Sequence, residues 1–260
     1  MSEFIASLPM YDWPELRAET DAYWARLRDV LRSRGIDAPD ALVRRNGDLP
    51  PVPTGIRDAR GEVVAPDPAT LAPDEFDLHA LWLHPALLVA QTCWGPMGQG
   101  LAAHVQVVGQ PDYSAFEGGE GELYSSAIVM RGRNSVAASG KPDIPLGLLR
   151  GKHFIYNSPD SMSGILALAQ DLEAVGETLD VFSERGLSGG HRASIIAVAD
   201  GRADIAAIDC RSWAMAQFFE PKAKELAAVG WTARRKGLPF ITARATPVDV
   251  VAALSDVLRS

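Results

Sequence analysis

From residue 4 to residue 258, short apolar runs bounded by Gly, Pro, Asn and Asp alternate with segments of helical spacing. This alternation constrains the fold more than any other feature. A strand, a helix and a further strand bury their apolar surfaces together as α/β layers with largely parallel sheets. Residues 4–8, 87–92, 105–109, 123–130, 153–156, 204–209 and 239–242 read as strands. Asp12 is expected to cap the first helix, with Pro14 in its first turn and Glu15 completing a capping box. Leu16, Tyr23, Trp24, Leu27, Val30 and Leu31 recur at helical spacing and give that helix one apolar face, which Gly35 ends. Residues 212–228 and 247–258 are expected to be helical as well. Residues 46–77, rich in Pro, Gly and Asp, read as a long surface excursion or a small hairpin.

Two polar turns stand out between these elements. Asn157-Ser158-Pro159-Asp160-Ser161-Met162-Ser163-Gly164 leads into an apolar helix, and Gly186-Leu187-Ser188-Gly189-Gly190-His191-Arg192-Ala193-Ser194 leads into another. A helix start offers unpaired N–H groups and the positive end of its dipole, so it attracts anions. Small hydroxyl side chains and glycine let an oxyanion approach that backbone closely. Two such turns point to a site for a small anion, although plain N-capping also accounts for Ser161 and Ser163.

Composition narrows the partners. The 260 residues are 47% hydrophobic and 22% charged, enough for one large domain or two lobes. A net charge of -8 argues against a nucleic-acid partner, which demands a basic face. No apolar run approaches the roughly 20 residues that span a bilayer, so no membrane insertion is expected. Met1-Ser2-Glu3 lacks the positive start of a secretory leader, which places the chain as it stands in the cytoplasm, or in the periplasm if a leader has been removed. Cys93 and Cys210 read as free, buried thiols. The five histidines (79, 84, 104, 153 and 191) show no paired ligand spacing, and neither a metal nor another cofactor is expected.

Gln91-Thr92-Cys93, the Asn157 to Gly164 turn, Gly189-Gly190-His191 with Ser194, and the run from Gly201 to Asp209 together resemble the phosphonate, phosphate and phosphite substrate-binding proteins of ABC importers. The turn after Cys93 departs from the family, reading Trp94-Gly95-Pro96 where Gly-Tyr-Pro is commoner. The resemblance implies a two-lobed α/β fold of the type 2 periplasmic-binding-protein class, two Rossmann-like lobes joined by two crossing strands. Lobe one would comprise residues 1–108 plus 224–260 and lobe two residues 109–223, with a hinge near 108–109 and 231–238. It further implies a ligand held between the lobes and, as a partner, an ABC permease or a regulator.

Within that frame, Ser161, Ser163 and the N–H groups around Gly164 would donate to a phosphorus oxyanion, joined by Ser125 or Ser126 from a crossing strand. Neutral donors suffice when they surround an anion near a helix dipole. His191, at a helix start, is a further donor, or else a helix-end histidine bonded to backbone. Asp209 discriminates: a carboxylate tolerates only an anion with a proton to share, or a ligand carrying an amine, and it is also placed to cap the following helix. Tyr11 and Thr92 follow strands of the first lobe, where open α/β sheets collect ligands, although Tyr11 reads equally as a rim aromatic without ligand contact. Trp94 and Trp213 are candidates to close over an organic substituent, or structural anchors. The competing reading is an enzyme of small-molecule or cofactor metabolism, since thiamine-pyrimidine and menaquinone pathway enzymes resemble the same fold. Ser163, His191 and Asp209 would then form a triad, though no GxSxG elbow is present.

Overall fold

The computed structural model describes residues 3–132 and 140–259. The chain divides into two compact units, Met1–Pro111 with Leu238–Ser260, and Asp112–Gly237. In chain order the first unit holds β1 (Ile5–Ser7), α1 (Arg17–Ser33), β2 (Ile56–Arg57), β3 (Val63–Ala65), α2 (Leu78–Trp82), β4 (Leu87–Gln91), α3 (Trp94–Gly98) and β5 (Val105–Gly109). The second holds β6 (Leu123–Tyr124), β7 (Ser126–Arg131), α4 (Leu146–Leu149), β8 (His153–Tyr156), α5 (Ala167–Ala174), β9 (Glu184–Leu187), α6 (His191–Ala199), β10 (Ile205–Asp209), α7 (Cys210–Phe219), β11 (Leu226–Trp231) and β12 (Arg235–Lys236). The chain then returns to the first unit with β13 (Phe240–Ala243) and α8 (Val248–Val257).

The first unit is built on a four-stranded sheet in the order β1-β4-β13-β5, with β1 parallel to β4 and β13 antiparallel to both its neighbours. All of β4 is buried, as a strand covered on both faces must be. Leu87 and Ala90 join one core cluster with Trp82 and Ile241, while Leu88 and Val89 join another with Trp24 and Leu31. On α1 the apolar stripe is narrower than the sequence spacing suggests: Trp24, Leu27 and Leu31 are buried and Val30 faces solvent. Gly35, at a φ of +83°, closes the helix; the Ile36 N–H donates to Leu31 O at 3.1 Å and the Gly35 N–H to Arg32 O at 2.9 Å.

Asp12 does not cap α1. The helix is entered through a tight turn at Pro14–Leu16, and Asp12 instead accepts two hydrogen bonds from Arg44, at 2.6 and 3.1 Å. A charge-assisted, two-pronged pair outcompetes a bond from a neutral amide. Within residues 46–77 the β2–β3 hairpin forms, and Leu49, Ile56 and Ala65 pack into the core. Asn46 ties the stretch down: its Nδ2 donates to Ala72 O at 2.9 Å and its Oδ1 accepts from the Asp77 N–H at 2.8 Å.

The second unit carries a five-stranded sheet in the order β11-β7-β10-β8-β9. Strands β8, β9 and β10 are parallel; β7 runs antiparallel to β10 and β11. Both main sheets are therefore mixed rather than largely parallel. Its core gathers Ile128, Phe154, Leu168, Leu172 and Ile205, with Phe154 stacked on Phe182 at 4.7 Å. Helix α7 stops at Phe219, before Glu220 and Pro221, so the helix expected over 212–228 is too long. Residues 226–231 instead pair with β7 as β11, which puts them in the second unit, whereas the sequence reading assigned 224–260 to lobe one. Strand β9 was not anticipated, because Glu184-Arg185-Gly186-Leu187 is a largely exposed sheet edge without apolar alternation. Among the described residues no helix is long and apolar enough to cross a membrane.

Candidate functional site

Topology gathers most of the candidate residues of the second unit. Because β8, β9 and β10 are parallel, the turns that follow Tyr156, Leu187 and Asp209 lie along one sheet edge. Antiparallel β7 begins at that edge, with Ser126 opposite Asp209. Carboxyl ends of parallel strands are where open α/β sheets receive ligands.

The first turn is shaped by three residues. Ser161 Oγ accepts from the Gly164 N–H at 3.0 Å, a capping bond. Its carbonyl accepts from the Leu166 N–H at 3.1 Å, five residues on, so the helix opens with a wide π-type turn at Met162–Leu166. Gly164 is required there, since a Cβ would lie 1.7 Å from Asn157 Oδ1. In the second turn, Ser188 Oγ bonds Tyr156 O at 3.1 Å and Ser194 Oγ at 2.7 Å. No side chain caps α6 at Gly190, and a Cβ at Gly189 or Gly190 would meet no atom within 4 Å. The helix start is open to an incoming group. The sequence reading placed Asn157 and Ser188 in the two turns without giving either a role of its own; the cue available was their place near the turn glycines.

His191, the first residue of α6, connects the two turns to β10. Its Nε2 lies 2.9 Å from Ser163 Oγ and 3.4 Å from Asp209 Oδ2. Asp209 Oδ1 accepts from the Ser212 N–H at 2.9 Å, so the carboxylate caps α7 and faces the imidazole at once. Burial pushes His191 below the ordinary imidazole value, and the Asp209 charge opposes that shift. Nε2 faces both the hydroxyl and the carboxylate, and Nδ1 faces neither. That Nδ1 is buried and unpartnered among the described residues, as are Ser125 Oγ and Asn157 Oδ1.

This arrangement differs from a hydrolytic relay, in which imidazole meets the hydroxyl through one nitrogen and the carboxylate through the other. Here Ser163 and Asp209 share Nε2. Cys210, beside Asp209, is equally unsuited to attack; burial first, and then the Asp209 charge, push its thiol up to about 12.

Ser161, Ser163, His191, Asp209, Ser125 and Ser126 thus lie along one edge of the second unit's sheet. The Ser126 N–H donates to Thr232 Oγ1 at 2.8 Å, and Ser125 O accepts from the Cys210 N–H at 3.0 Å. Tyr11 and Thr92 belong to the first unit. Tyr11 is buried in the turn after β1, and Thr92 follows β4 with a buried Oγ1 that lacks a hydrogen-bond partner among the described residues. Trp94 is partly buried against the first unit's core and Trp213 is buried in α7.

A family model described as the periplasmic substrate-binding protein of phosphonate ABC transporters matches residues 99–260, more than half of the chain. No curated protein sequence matches. Among solved structures, PhnD1 of Prochlorococcus marinus in complex with methylphosphonate is similar at 16% identity and a TM-score of 0.64, over 98% of this chain and 81% of that one. A binding protein component of a phosphonate ABC transporter from Pseudomonas aeruginosa is similar at 14% identity and a TM-score of 0.58, over 98% of this chain and 74% of that one. A Xanthomonas citri protein bound to chloride ion gives 14% identity and a TM-score of 0.60, over 99% and 83%. These likenesses show the two-lobed, mixed α/β fold of periplasmic binding proteins. The matching family is periplasmic, binds small phosphonates for an ABC permease, and is made up of binding proteins rather than enzymes. The chain belongs to the periplasmic substrate-binding proteins of phosphonate ABC transporters.

Proposed function

We propose that this protein binds a small phosphorus oxyanion (a phosphonate, phosphate or phosphite) and passes it to an ABC permease. Ser161, Ser163 and His191 are its principal ligands in the second unit, with Asp209, Ser125 and Ser126 beside them. The observation that carries the reading is a buried polar cluster at a sheet edge whose His191 Nδ1 and Ser125 Oγ lack partners among the described residues. Buried polar atoms are costly unless satisfied, and a ligand that supplies both proton and acceptor oxygens satisfies them.

Specificity follows from charge. Asp209 repels a fully ionised oxyanion, while a P–OH group can donate to Asp209. Hydrogen phosphate, hydrogen phosphonates and aminoalkylphosphonates meet that condition. Sulfate does not.

Calorimetry with methylphosphonate, phosphite, phosphate, 2-aminoethylphosphonate and sulfate tests this. At least one phosphorus anion is expected to bind without turnover, and sulfate is expected to fail. Ser163→Ala combined with His191→Ala should abolish binding and leave the unliganded melting temperature nearly unchanged. Undiminished binding by that double variant, or no binding of any phosphorus anion, would sink the assignment.

A further inference from the structure

The first unit contains a cavity of about 660 Å³ that the phosphonate site does not use. This lies inside the roughly 300–1,000 Å³ range of small-molecule sites. Its more buried lining is apolar, made by Ile56 and Val64 of the β2–β3 hairpin with Leu83 before β4, and exposed Pro85 lies beside them. Its rim carries three guanidinium groups, Arg57 and Arg60 from the hairpin and Arg244 after β13, with the His104 imidazole before β5 beside them. In a chain of net charge -8, three guanidinium groups around one depression are a local inversion of sign.

The charges around the rim are neutralised only in part, by Asp58, whose carboxylate feels Arg60 and His104. The carboxylate of the lining, Asp58, directs its Oδ1 to the N–H groups of Arg60 and Glu62, both at 2.9 Å. Arg57 donates one bond, to Gly61 O at 2.6 Å, and keeps further N–H groups. The Arg244 backbone N–H is anchored on His104 O at 3.1 Å, which sets its side chain beside the imidazole's segment. Guanidinium groups arriving from separate segments suit a phosphate-type dianion, which accepts several charge-assisted bonds at once.

We propose that this cavity is a second binding site, for an amphiphilic organic phosphate or phosphonate whose anionic head meets Arg57, Arg60 and Arg244 and whose hydrocarbon part covers Ile56, Val64 and Leu83. It differs from the site on the second unit in chemistry as well as place: guanidinium charge replaces neutral hydroxyl donors, and an apolar lining replaces a polar pocket. Inorganic phosphate lacks the part that this lining recognises.

The test uses the full chain carrying Ser163→Ala and His191→Ala, so that its outcome is independent of the phosphonate site. Octyl phosphate below its micellar concentration should bind saturably, and inorganic phosphate should not. Adding Arg60→Glu and Arg244→Glu should weaken octyl phosphate roughly tenfold or more, the scale of losing charge-assisted hydrogen bonds. Both side chains are exposed, so the melting temperature should hold; the gentler Arg60→Gln and Arg244→Gln pair repeats the measurement with less charge change. Absence of saturable binding, equal binding of inorganic phosphate, or octyl phosphate affinity indifferent to both arginine pairs would overturn the proposal.

Discussion

Ser161 Oγ accepts from the Gly164 N–H at 3.0 Å, whereas Ser163 Oγ faces His191 Nε2 at 2.9 Å. Of these two proposed ligands, only Ser161 also caps the turn. Ser161→Ala removes a cap and should cost about 1 kcal/mol in denaturant unfolding of the unliganded protein. Ser163→Ala should cost less stability and more phosphonate affinity; equal stability losses would mean that both serines are structural. Gly164→Ala forces a methyl against Asn157 Oδ1 and should cost about 2 kcal/mol or more, in the range of overpacked cores. His191 gives a signed pH effect. Its folded-state value lies below the ordinary 6.5, so the unfolded chain takes up the proton first as pH falls. Its stabilising contribution is complete above about pH 6.5 and is lost on acidification below it. Buried His84 acts in the same direction, so the readout is a difference: His191→Gln should flatten, without abolishing, the fall in melting temperature between neutral and mildly acidic pH.

At the scale of elements, Asp209 belongs to β10, to the start of α7 and to the polar cluster around His191 together. Asp209→Asn keeps a good capping side chain and removes the charge. Stability should stay within about 1 kcal/mol, while sulfate, measured by calorimetry, should gain affinity relative to methylphosphonate. Continued exclusion of sulfate by the neutral variant would show that Asp209 does not set specificity. The helix starts were readable in the sequence because Ser, Asn and Gly before an apolar run act locally, on N–H groups a few residues away. Strands β9 and β11 were not: their residues carry little alternation, and each becomes a strand only by pairing with β8 or β7. Asp12 failed as a cap for the same reason, since Arg44 lies far along the chain from it.

For the whole molecule, each unit has its own sheet and its own core, so unfolding need not be a single transition. A phosphonate at about a hundred times its Kd should stabilise the protein by about 2.7 kcal/mol, a rise of roughly 5–10 °C in Tm. Scanning calorimetry should find that rise in the wild-type protein and none in the Ser163→Ala, His191→Ala variant. From the sequence alone came the α/β alternation, the two glycine- and serine-rich helix starts and the net negative charge, because strand and helix periodicity, capping chemistry and charge are local or compositional properties. Only tertiary structure decided that Ser163, His191 and Asp209 meet, with one imidazole nitrogen serving both partners. They come from three separate stretches of chain, and the parallel pairing of β8 with β9 and β10 carries their turns to a common edge.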